Sequence, residues 1–98
     1  MRYWVNMAPS FEDLVKLQRT ADEAHGRVQQ LFDDYGRSPV NEWTEYQRTA
    51  WHTACKSWVD DVRGIQEAIR EYAFEQGREV RQVDADVKKA ARDSGSAA

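Results

Sequence analysis

Residues 11–35 read FEDLVKLQRTADEAHGRVQQLFDDY, and this stretch decides the fold. Leu14, Leu17, Ala21, Ala24, Val28, Leu31 and Tyr35 are spaced 3, 4, 3, 4, 3 and 4 residues apart. That spacing is a heptad seam along one face of an α-helix. Phe11, Val15 and Phe32 flank the seam and widen it beyond a narrow two-stranded stripe. Ser10 stands where an N-cap belongs, followed by Glu12 and Asp13, whose charges suit the positive end of a helix dipole. Gly36 is a stop that can take a positive φ. The pattern predicts a helix from Phe11 to Tyr35, about 36 Å long.

Outward from that helix, Pro9 and Pro39 are the chain's two prolines and leave long Pro-free stretches on either side of 39. The segment 36–41 reads as a turn, with Ser38 or Asn41 available to cap a second helix. A connection that short makes the two helices antiparallel neighbours. The second helix, expected over about 42–90, has its own seam of Trp51, Cys55, Trp58, Val62, Ile65, Ile69 and Tyr72. Beyond it the seam drifts by one residue to Ala73, Val80, Val83, Val87 and Ala90, as a straight 3.6-residue helix does against a 3.5-residue repeat. Gly77 costs about 1 kcal/mol in a helix interior and makes the distal part the weaker half. Residues 93–98, without large apolar side chains, are expected to be disordered.

The chain's 98 residues allow one domain, here spanning residues 1–92. With 41% hydrophobic and 32% charged residues, a net charge of −3 and an acidic excess in both halves, it lacks the basic footprint of a nucleic-acid or anionic-lipid binder. One cysteine, Cys55, cannot close an intrachain disulfide. No apolar run reaches the roughly 18–20 residues a bilayer span needs, and the N-terminus has no signal-peptide h-region. Two helices cannot bury Phe11, Phe32, Trp43, Trp51 and Trp58 together, and a projecting second half would leave Val80, Val83 and Val87 bare. The expected solution is an all-α antiparallel hairpin that pairs with a second hairpin as a four-helix bundle. The expected hairpin and dimer contacts are Phe11, Leu14, Leu17, Val28, Leu31, Phe32, Trp51, Trp58, Val62, Ile65 and Ile69.

About a hundred residues, a helical hairpin, Trp43 at the turn and Ala50, Trp51, Ala54 and Trp58 after it resemble the Trp-X-Gly family of small type VII secretion substrates. Tyr3-Trp4-Val5-Asn6, followed by Leu14 and Leu17, is similar to that family's short N-terminal arm and first helix. The resemblance spans nearly the whole chain, but its two short signatures are degenerate. The Trp-X-Gly triplet is Trp43-Thr44-Glu45, without the glycine. The Tyr-x-x-x-Asp/Glu export signal is matched best by Val80 to Asp84, where the acid is present and the tyrosine is not. The resemblance implies a non-enzymatic chain without cofactors. It implies export as half of a helical dimer, with no conventional signal peptide and a cytoplasmic stage before export. The implied partner is a homologous Trp-X-Gly protein, or a second copy, and the secretion ATPase is engaged through the dimer. A chain without the tyrosine fits the passenger role.

A cytosolic helical-hairpin adaptor or dimerisation module is the alternative. Other chemistry has thinner support. His52 and Cys55 stand one helical turn apart, a spacing that can supply two zinc ligands, but no second pair exists. Cys55 on the seam behaves as a small hydrophobe, and nothing orients a Cys–His pair for nucleophilic catalysis. Gln18 and His25, on the flank of the first helix, are expected to face a partner. Glu67, Glu71, Glu75 and Glu79 form a solvated acidic row.

Overall fold

The computed structural model describes residues 8–96, with side chains described as far as residue 93. These residues form α1 (Phe11–Tyr35), a 3-10 turn (Val40–Glu42), α2 (Glu45–Gln76) and α3 (Val80–Ser96). The N-terminal arm at residues 3–6 lies outside the described residues, as do the last two positions of the expected tail; α3 takes in 93–96.

The first helix has the expected bounds, and its cap is reciprocal. The Asp13 N–H donates to Ser10 Oγ (3.1 Å), and the Ser10 N–H donates to Asp13 Oδ2 (3.0 Å). Two orphan donors are thus satisfied by two residues. Gly36 ends the helix in a different way from the one expected. Its φ is −70°, in the right-handed region, and its N–H donates to the Phe32 carbonyl. Glycine fits there for space: a Cβ would sit 2.5 Å from the Phe32 carbonyl oxygen.

The connection is longer than the predicted 36–41 turn. Neither Ser38 nor Asn41 caps the second helix; Thr44 does. Thr44 and Gln47 repeat the reciprocal box, with Gln47 N–H to Thr44 Oγ1 at 3.1 Å and Thr44 N–H to Gln47 Oε1 at 2.9 Å. Pro39 instead precedes the short 3-10 turn, where its fixed φ of −59° suits an extended entry.

The second helix does not run to residue 90. It stops at Gln76, because Gly77 adopts a left-handed φ of +64°. The Arg78 N–H donates to the Ala73 carbonyl (2.9 Å) and the Gly77 N–H to the Phe74 carbonyl (3.3 Å). This paired closure is a Schellman motif, and glycine occupies its left-handed position without steric penalty. The chain then turns back, and α3 packs against both α1 and α2.

The core explains the return. Leu14 and Ala21 of α1, Ile65, Ala68, Ile69 and Ala73 of α2, and Val83 and Val87 of α3 form one buried cluster. Val83 and Val87 are completely buried, each worth about 2 kcal/mol of hydrophobic burial. The chain therefore covers them itself, contrary to the expected projection; only Val80 remains substantially exposed. Phe11, Leu17, Val62 and Tyr72 pack around this cluster, partly buried. The molecule has two ends of different construction: three helices around an aliphatic core, and two helices beyond it.

Candidate functional site

The two-helix end is closed by rings. Trp43 is buried at the mouth of the hairpin, immediately before the Thr44 cap. Its indole N–H donates to the Ser38 carbonyl at 3.1 Å, which ties the ring to the connection it covers. The ring meets Tyr35 edge-on at 5.3 Å and Trp51 edge-on at 5.9 Å. Phe32 reaches Trp51 at 6.0 Å. Edge-to-face pairs at these separations are favourable beyond the area they bury. The rings thus do at this end what α3 does at the other.

The triplet residues have structural duties in this arrangement. Trp43 packs the turn, Thr44 caps α2 and Glu45 is the first helical residue, exposed and acidic where the helix dipole favours it. The glycine missing from Trp43-Thr44-Glu45 is not required here, since Gly77 is the sole residue of positive φ among the described residues.

The end is not fully covered. Phe32 is 58% exposed, Val40 63% and Tyr46 78%, on the last turns of α1, the connection and the first turn of α2. Val40 and Tyr46 were not among the expected contacts; their sequence signal is an apolar residue within a turn or first helical turn, off the heptad seam. Tyr46, adjoining Trp43 and Thr44, is the most exposed of the three.

The other expected contacts divide between the two ends. Leu14, Val28, Ile65 and Ile69 are buried, whereas Phe11, Leu17, Leu31, Trp51, Trp58 and Val62 are half-buried. The expected partner-facing polar residues are engaged within the chain. Gln18 is buried and its Nε2 donates to Asp22 Oδ1 at 2.9 Å. The His25 ring stacks on Trp58 at 4.3 Å. Cys55 is a half-buried free thiol, and no cluster of three or more potential metal ligands occurs among the described residues.

Val80 and Asp84 lie elsewhere. They line an open groove of about 630 Å³ between α2 and α3, with Ile69 at its apolar side and Arg70, Arg81 and Lys88 among its charges. Asp84 is not a free acid: Lys88 Nζ donates to its Oδ2 at 3.0 Å. The distance between the two motif-like segments along the hairpin means that Trp43 and Val80–Asp84 do not form a single site on one chain. A stronger ion pair was missed in the sequence. Arg78, between the helices, donates to Asp86 of α3, and Gln82 Nε2 donates to the same carboxylate at 3.0 Å. The Arg78 hydrogen bond is the main reason the Asp86 carboxyl titrates below its ordinary value, with Gln82 adding to it.

No family model, curated protein or solved structure matches this chain. Among the described residues, no helix is long and apolar enough to cross a membrane.

Proposed function

We propose that this chain is a non-enzymatic substrate of a type VII secretion system, exported as half of a helical dimer. It fills the passenger role, lacking the tyrosine of the export signal, and leaves the cytoplasm by the type VII route. Its partner is a Trp-X-Gly protein or a second copy, and the secretion ATPase reads the assembled pair.

The observation that carries this reading is Trp43 at the mouth of a helical hairpin, beside a rim of exposed Phe32, Val40 and Tyr46. Trp43 itself is used up in closing the turn. It shapes that rim, and recognition falls to the neighbouring exposed side chains. An apolar rim of this kind is a natural contact for a second hairpin.

A tagged chain should be followed in its native host with the secretion ATPase intact and deleted. Appearance in the medium only when the ATPase is present supports export. Retention in the cell in both strains removes the proposal.

The reading as a cytosolic adaptor has one observation in its favour. Helix α3 folds back over the aliphatic end, which gives the chain a three-helix core of its own. On that reading the aromatic rim binds an intracellular partner, and the chain stays inside whichever ATPase is present.

A further inference from the structure

The buried residues of α3 repeat those of α2. Val83, Val87 and Ala91 follow Ile65, Ile69 and Ala73 at an interval of eighteen residues, which is about five turns of an α-helix. All six are buried. On an unbroken helix they would lie in a single stripe on one face, although here α3 has turned back. The same sequence is therefore compatible with two arrangements, folded back and straight.

Only the short connection Gly77-Arg78-Glu79 separates the two. It contains no proline and has the one positive φ among the described residues. Straightening it would carry α3 away from its own α1 and bare the cluster around Leu14, Val83 and Val87. A second straightened chain offers the same vacated surface and the same displaced helix.

We propose that the chain exchanges α3 with a second copy of itself, with Gly77–Glu79 as the hinge. Each α3 then docks on the α1–α2 hairpin of its partner through the contacts it makes at home. A reciprocal exchange of this kind recovers both buried clusters and closes with two-fold symmetry. The Arg78–Asp86 ion pair opposes it. Those residues are eight positions apart, about 12 Å along a straight helix, so their contact exists only while the hinge is bent. The exchange stands independently of the secretion proposal, since a swapped homodimer can form whether or not the chain is exported.

The test is refolding from denaturant at millimolar concentration, followed by size-exclusion chromatography with light scattering. The native chain should give a dimer fraction that persists after dilution, because separation requires α3 to leave its host. Gly77→Ala removes the residue that tolerates the left-handed turn and favours the straight helix. Acting at both hinges, it should tighten the dimer by about 100-fold or more. Val80→Pro should abolish the persistent dimer, because proline is welcome at the first position of α3 and forbidden inside a continuous helix. A dimer of the native chain that falls apart within seconds of dilution overturns the exchange, as does one that Val80→Pro forms equally well. A native chain that yields no dimer at all overturns it too, even if Gly77→Ala fails to fold.

Discussion

The His25 imidazole lies nearly flat on the Trp58 indole, with centroids 4.3 Å apart and planes inclined by 25°. It joins the middle of α1 to the middle of α2, between the aliphatic cluster and the ring-closed mouth. A double-mutant cycle with His25→Ala and Trp58→Ala should show a coupling of about 0.5–1.5 kcal/mol in denaturant unfolding. Strictly additive losses would mean that the rings merely lie side by side.

Val87 is the residue on which α3 depends most plainly. It is fully buried in the shared cluster, and its replacement by aspartate would put an unpaired charge there. Val87→Asp should free α3, with proteolytic cutting near 77–79 and loss of part of the helical circular dichroism. Resistance equal to the native chain would contradict the burial assigned to this position.

The glycines provide a contrast within one experiment. A Cβ added at Gly26 or Gly64 would meet nothing within 4 Å, and both positions are helical. Gly26→Ala and Gly64→Ala should each stabilise the chain by about 1 kcal/mol, additively. Gly36→Ala should do the reverse, because its Cβ would be forced against the Phe32 carbonyl. Thermal midpoints of the three variants decide the matter.

Asp86 sets a pH limit on α3. Its carboxyl titrates below the ordinary value of 3.8 in the folded chain, chiefly through the hydrogen bond from Arg78. A depressed carboxyl pKa contributes stability that is fully present above the unfolded value and is lost as pH falls through the folded one. Stability should therefore decline on acidification below about pH 4. Asp86→Asn should lower the thermal midpoint at pH 7 and weaken the dependence between pH 4 and pH 2. A variant whose acid profile overlies that of the native chain would show that the pair adds nothing.

The first helix was legible almost completely. Ser10, the seam from Leu14 to Tyr35 and Gly36 fix its bounds, because capping and heptad spacing are local properties. The start of α2 was less legible: Ser38 and Asn41 were the expected caps, and the reciprocal pairing of Thr44 with Gln47 sets the start instead. The break at Gly77 was hidden by the eighteen-residue recurrence, since periodicity records which face is apolar and says nothing of whether the axis bends. Gly77 itself, the residue type that most often stands just past a helix end, was the available sign of a stop. At the aromatic end, the seam marked Trp51 and Trp58, but closure by Trp43 needed the indole N–H to find Ser38, a contact no spacing encodes.

The position of α3 also bears on synthesis. Leu14, near the start of the described chain, shares its cluster with Val83 and Val87. As the polypeptide emerges from the ribosome, α1 and most of α2 can already meet while the cover for Leu14 is still unmade. The nascent hairpin thus carries a sticky aliphatic patch until α3 has cleared the exit tunnel.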